Sequence, residues 1–224
     1  MNKGLLIVFL LIINVLCIKA QQFNGGFAFG VAGTQISGDE LGGFNKAGPY
    51  VGIFSNLNIS GKTSLQLEID FIQKGSRKNI GKSDNTIDTR YVYRLRLNYI
   101  EIPLTFKYDI RNVRNFKDSS NQFMHQLNFL TVEFGLCFAR LLKFSESDLY
   151  GEIEPRISFN DYDCSALCGL YYSINKNLKM NLRYMLSVIP VRKHSSEAHN
   201  RLNHGQYNEL LVLSLHYQFN KANE

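Results

Sequence analysis

Between Thr63 and Lys74 the side chains alternate: Leu65, Leu67, Ile69 and Phe71 fall on one parity, and Gln66, Glu68, Asp70 and Lys74 on the other. Successive residues of a β-strand point to opposite sides, so this segment satisfies both sets only as a strand with one apolar and one charged face. The pattern recurs. Leu178, Met180, Leu182, Tyr184, Leu186 and Val188 alternate with Lys179, Asn181, Arg183 and Ser187, and Leu211, Leu213, Leu215, Tyr217 and Phe219 alternate with Val212, Ser214, His216 and Gln218. The same reading predicts strands at 23–36, 47–58, 62–74, 91–108, 127–142, 161–174, 178–189 and 208–219. Strands this long exceed the usual five or six residues of a soluble sheet and suit a tilted membrane crossing. Bacterial barrels close with an even strand number. The expected fold class is therefore all-β: a closed antiparallel transmembrane β-barrel of about eight strands, with a soluble exported sandwich as the alternative.

The connections alternate in size, as they do when one end of a barrel carries tight turns and the other long loops. Asn58 to Lys62 and Asn175 to Asn177 consist of turn-forming residues. Ser37 to Lys46, Gly75 to Arg90, Lys143 to Asn160 and Pro190 to Tyr207 read as long polar loops, while Asp109 to Gln126 is long where a tight turn is due and reads as a periplasmic excursion. In the fourth strand the apolar parity changes from odd (Tyr91, Tyr93, Leu95, Leu97, Tyr99) to even (Ile100, Ile102, Leu104, Phe106, Tyr108). A slip of one residue predicts a β-bulge near Asn98 to Ile100. Pro103, which cannot donate to a ladder, then points inward beside it.

This parity sends Glu68, Asp70, Lys74, Arg94, Arg96, Glu101, Lys107, Glu133, Lys179 and Arg183 into the barrel. An eight-stranded barrel has room inside for little beyond its side chains. Charges of both signs there are expected to pair into a network that leaves no diffusion pore. Tyr50, Phe71, Tyr91, Tyr93, Tyr108, Tyr172, Tyr184, Tyr217 and Phe219 are expected to form interfacial girdles.

The amino terminus reads as an export signal: Lys3, an apolar run from Leu5 to Ile18 interrupted by Asn14, and a small residue at Ala20. The expected division is a signal peptide over 1–20 and one barrel domain over 21–224, with an uncleaved anchor as the alternative. The run is short for a spanning helix. A formal charge of +6 at pH 7, two units of which belong to Lys3 and Lys19, is ordinary for a domain of this size and does not argue for nucleic acid. Cys137, Cys164 and Cys168 remain after the signal. Four strand residues separate the last two by roughly 13 Å, beyond disulfide reach, so unpaired thiols are expected.

Several stretches together resemble the PorT-type outer-membrane β-barrel family, itself similar in architecture to the small OmpA-type barrels. They are Gly38 to Lys46 with Gly48 and Gly52, Leu65 to Glu68 running on to Gly75, Arg183-Tyr184 with Ser187, and Leu215 to Phe219. The most specific is Tyr99-Ile100-Glu101-Ile102-Pro103-Leu104-Thr105-Phe106-Lys107-Tyr108, which is similar to that family's YLEIPLLLKY strand. The resemblance implies residence in the outer membrane, contact with its lipid, and a link to secretion of surface proteins. A last strand ending in an aromatic resembles the signal read by the insertion machinery, although Asn220 to Glu224 follow Phe219 here.

Catalytic and cofactor motifs are sparse. Gly75 to Ser83 has five residues between its glycines where a phosphate-binding loop has four, and no helix pattern follows. His194, His199 and His204 recur at a spacing that matches no zinc pattern. No cofactor or metal is expected. Asp39, Asp161, Asp163 and His194 are the residues that a surface hydrolase or acyltransferase would gather at its rim. Three functions stay open: a non-enzymatic barrel that meets envelope proteins through its loops, such a surface enzyme, and a narrow channel.

Overall fold

The computed structural model describes residues 23–39, 43–79, 92–110, 130–148, 150–154, 157–193 and 205–219. Its strands are β1 (Phe23–Ser37), β2 (Lys46–Asn58), β3 (Thr63–Lys74), β4 (Arg77–Asn79), β5 (Val92–Asp109), β6 (Leu130–Asp148), β7 (Gly151–Glu152), β8 (Tyr162–Ser173), β9 (Leu178–Ser187) and β10 (Tyr207–Gln218). The order β5-β3-β2-β1-β10-β9-β8-β6 closes through a further β5–β6 pairing. All of these pairings are antiparallel. Closure removes the unpaired edges that an open sheet would present to lipid. The eight long strands are those read from the alternation. β4 and β7 are additions: they lie in stretches predicted to be loop, and they pair with the upper parts of β5 and β6.

The connections from β1 to β2, β3 to β5, β6 to β8 and β9 to β10 gather at one end of the barrel, and the turns at Asn58 to Thr63 and Ser173 to Leu178 lie at the other, where β5 also ends at Asp109 and β6 begins at Leu130. Ser60 organises the first turn, with its hydroxyl 2.7 Å from that of Thr63. The Asn175 side chain organises the second by accepting from the Asn177 and Leu178 amides at 2.9 and 2.8 Å. Both are local side-chain mimics of a turn hydrogen bond.

The predicted bulge exists, but on the neighbouring strand. Asn98 pairs with Lys143 and Tyr99 with Leu141, so Leu142 of β6 is the extra residue. β5 keeps one parity throughout: Leu95, Leu97, Tyr99, Glu101, Pro103, Thr105 and Lys107 are all buried. The apolar odd residues of its upper half therefore face inward, and the change of parity marks a change in what the lumen contains. β6 does change parity. Glu133, Cys137 and Ala139 face inward below Leu142, and Phe144 and Glu146 face inward above it, where they meet Phe159 and Tyr93. Pro103 is inward as expected, opposite Cys137. Leu67 pairs with Leu104 and Asp70 with Glu101, so the β3–β5 ladder is interrupted at the level of Pro103, consistent with its missing N–H.

The outer wall is a continuous apolar band. Phe29, Val31, Ile53, Leu67, Leu104, Leu136, Phe138 and Leu213 are each about half exposed. A contiguous apolar surface on this scale is not sustained in water and matches the lipid-facing band of a membrane barrel. Tyr108, Tyr172, Tyr217 and Phe219 edge the band at the short-turn end, with Phe27 and Phe219 in edge-to-face contact at 5.1 Å. Tyr50 and Tyr93 correct the girdle expectation. Tyr50 is buried in the lumen, and Tyr93 donates to Glu146 at 2.5 Å above it. The segment 1–20, residues 111–126, the three loop histidines, Tyr91 and the residues after Phe219 lie outside the described residues.

Candidate functional site in the barrel lumen

Period two on eight strands stacks the inward residues in layers. In the middle layer Arg183 of β9 reaches two carboxylates. Its Nη2 and Nη1 donate to Glu68 of β3 at 2.7 and 3.1 Å, and its Nε and Nη2 donate to Glu133 of β6 at 2.9 and 3.0 Å. β3 and β9 stand four strands apart in a ring of eight, so the Arg183–Glu68 pair spans the lumen. All three side chains are essentially buried. Only the planar guanidinium fork could serve two carboxylates at once in this way. Asn181 donates to Glu133 at 2.8 Å, Gln66 to Glu68 at 2.7 Å, and the Tyr50 hydroxyl lies 3.0 Å from Glu68 and 3.1 Å from Asp70.

Two glycines make room for these carboxylates. A Cβ on Gly169 would lie 2.6 Å from Glu133 Oε1, and one on Gly52 would lie 1.8 Å from Asp70 Oδ1. Both stand beside the acid in register.

Nearer the long-loop end, Lys74 of β3 bridges Glu101 of β5 at 2.6 Å and Asp163 of β8 at 2.9 Å. Ser187 and Asn208 also donate to Asp163, at 3.0 and 2.9 Å. Around and above this pair the lumen is apolar: Ile36, Ile72, Leu95, Leu97, Met185 and Leu210 are fully buried. Above them the β5–β6 ribbon carries the Tyr93–Glu146 contact, and Arg192 bridges Glu146 at 3.1 Å while lying 4.4 Å from the Phe159 ring centroid. The lumen thus holds buried ion pairs under an apolar layer, rather than charges throughout its length.

At the short-turn end the lumen opens into a polar cavity of about 460 Å³, lined by Asn56, Lys107, Thr131, Tyr171 and Lys179 among others. Lys107 closes its floor, donating to Gln66 at 2.5 Å with its ammonium 3.7 Å from the Tyr171 ring centroid. His216 lies against the same ring at 5.0 Å and against Phe54 at 5.4 Å.

Of the residues predicted to form the interior network, Glu68, Asp70, Glu101, Lys107, Glu133 and Arg183 are buried in the lumen together with Lys74. Lys179 is half-buried at the cavity mouth. Arg94 and Arg96 are not in the network. Because β5 never changes parity, they stand on the outer wall opposite Ser147 and Ser145. The residues that the charge pattern missed are neutral or lay at a strand end: Tyr50, Gln66, Tyr171, Asn181, Asn208 and Asp163. For Gln66 and Asn181 the signal was present, since both share parity with the charges.

The rim constellation does not assemble among the described residues. Asp161 is exposed and Asp163 is turned into the lumen toward Lys74. Gly75 to Asn79 do not form a phosphate loop: Gly75, at φ 135°, turns the chain into β4. Cys137, Cys164 and Cys168 are all free thiols. No group of three metal-ligating side chains lies among the described residues.

Comparison with known proteins places this geometry. No curated protein matches the chain. Among solved structures it is similar to Ail, the attachment invasion locus protein of Yersinia pestis, at 11% identity and a TM-score of 0.47, covering 88% of this chain and 99% of that one. It is also similar to Neisserial surface protein A (NspA), at 13% identity and a TM-score of 0.42, covering 88% of this chain and 97% of that one. The family model described as outer membrane protein beta-barrel domain matches residues 19–192. A closed antiparallel barrel with an apolar outer band fits that description, and the chain belongs to this family and resides in the cell outer membrane.

Proposed function

We propose that the protein is a non-enzymatic barrel that acts through its long-loop end in contacts with other envelope proteins, within the PorT-type branch and in the secretion of surface proteins. The observation that carries this reading is the β5–β6 ribbon. It continues past the barrel as Arg94↔Ser147 and Arg96↔Ser145, gains β4 and β7 at its sides, and is braced by Tyr93, Glu146 and Arg192. A membrane barrel whose only task was to span lipid would gain nothing from a braced projection above a filled lumen. The PorT-type assignment is supported by the Tyr99 to Tyr108 strand, whose Glu101, Pro103 and Lys107 all line the lumen.

The narrow-channel reading is disfavoured by the Arg183 bridge across the lumen and the apolar layer above it. The enzyme reading is disfavoured by the commitment of Asp163 to Lys74. The test is a photocrosslinking residue in place of Tyr150, which is 93% exposed at the ribbon tip, in cells expressing the protein at native level. A discrete protein adduct is expected at Tyr150 and none at the lipid-facing Leu213. No protein adduct at Tyr150 would overturn the reading. For the secretion branch, surface-protein export that is unchanged on deletion of the gene would remove it.

A further inference from the structure

On the outer wall the β5–β6 hairpin changes abruptly from apolar to basic. Up β6 the outward residues are Phe134, Leu136 and Phe138, then Arg140 and, past the bulge, Lys143. Up β5 they are Leu104, Ile102 and Ile100, then Asn98, Arg96 and Arg94. Arg77 of β4 is set directly opposite Arg94. None of these five cations forms an ion pair among the described residues. The register places Arg140 opposite Ile100 and Lys143 opposite Asn98, so the basic column runs along β5 from Arg94 to the level of Ile100, roughly 20 Å along the strand.

Like charges directly opposite each other in a ladder destabilise it, and an arginine on a lipid-facing wall is costly at mid-membrane and tolerated only near the interface. Both costs vanish if the column lies at headgroup depth and an anion sits between the cations. The site is continuous with the lipid-facing band, so the molecules that reach it are lipids. Tyr162, exposed and paired with Arg140, is an amphipathic ring of the kind that settles at that depth. We propose that Arg94, Arg96, Arg140 and Lys143, supported by Arg77, form a binding site for the phosphate groups of anionic lipids in the outer leaflet. The long side chains reach up toward the phosphates while their stems lie along the apolar wall.

The test uses the full mature chain refolded into nanodiscs of phosphatidylcholine alone or of phosphatidylcholine with added lipid A. Retained lipid A is counted by native mass spectrometry, and folding is checked by heat-modifiable gel mobility. Wild type is expected to retain lipid A and to unfold at a higher temperature in its presence. Neutralising a cation is expected to lower lipid A affinity roughly five-fold, and the combined variant R94Q/R96Q/R140Q/K143Q should lose retention and the thermal shift. The double variants R94Q/R96Q and R140Q/K143Q give the same reading should the combined variant fail to fold. K62Q/K176Q, at the opposite end of the barrel, is the charge control. Unchanged lipid A retention in the double variants, or an equal loss in the control, would overturn the proposal.

Discussion

The Arg183 guanidinium on β9 meets the Glu68 carboxylate on β3 at 2.7 Å across the full width of the barrel, with Glu133 of β6 on its other edge at 2.9 Å. Removing the arginine leaves two buried carboxylates facing each other without the cation that bridges them. Arg183→Met is expected to destabilise the folded barrel by about 3–5 kcal/mol, read as a shift of the urea midpoint in lipid vesicles. Adding Glu68→Gln and Glu133→Gln should recover much of that loss, because the charges that lacked a partner are then absent. A triple variant no more stable than Arg183→Met would show that the network is not held together by charge.

Gly169 stands beside Glu133, and a methyl group there would press against its carboxylate oxygen at 2.6 Å. Gly169→Ala is expected to cost about 1–3 kcal/mol through displacement of that carboxylate from Arg183. Gly61, which has no atom nearby, should change by no more than about 0.5 kcal/mol when replaced by alanine. Equal effects at the two positions would contradict the close packing of the lumen.

The depth of the outer wall can be measured with arginine. Leu104→Arg, in the middle of the apolar band, is expected to cost about 2–4 kcal/mol, whereas Ile59→Arg at the short-turn end should cost about 0–1 kcal/mol. Equilibrium unfolding from phosphatidylcholine vesicles gives both values, and a uniform cost would mean that the band does not face lipid.

Leu142 is the single residue that lets β6 change parity. Its deletion is expected to leave Leu141 opposite Tyr99 and Lys143 opposite Asn98 in an unbroken ladder, so that Phe144 and Glu146 keep their contacts with Phe159 and Tyr93. Insertion of one alanine after Lys143 should instead turn Phe144 and Glu146 to the outer wall and raise protease accessibility of the ribbon, with no loss of heat-modifiable mobility. A ribbon equally accessible in the two variants would place the extra residue elsewhere.

A filled lumen also predicts electrical silence. Wild-type protein in planar bilayers is expected to pass no resolved current, since Arg183 bridges the lumen and Leu95, Leu97 and Leu210 fill its upper part. Stable single-channel steps would count directly against this arrangement.

The alternation in the chain determined most of the architecture: eight long strands, their order of short and long connections, the apolar outer band, and the inward placement of Glu68, Glu101, Lys107, Glu133 and Arg183. These follow from geometry that every strand shares, because period two admits only two faces. What hydropathy could not determine was which face an apolar residue takes when both lipid and a dry lumen accept it. Leu95, Leu97 and Tyr99 look outward by composition and are inward by structure, which moved Arg94 and Arg96 to the outer wall and the bulge from β5 to β6. Partner choice within the lumen was equally hidden from the sequence. Arg183 meets Glu68 and Glu133, and Lys74 meets Glu101 and Asp163, because closure of the barrel sets strands distant in sequence opposite one another at equal height.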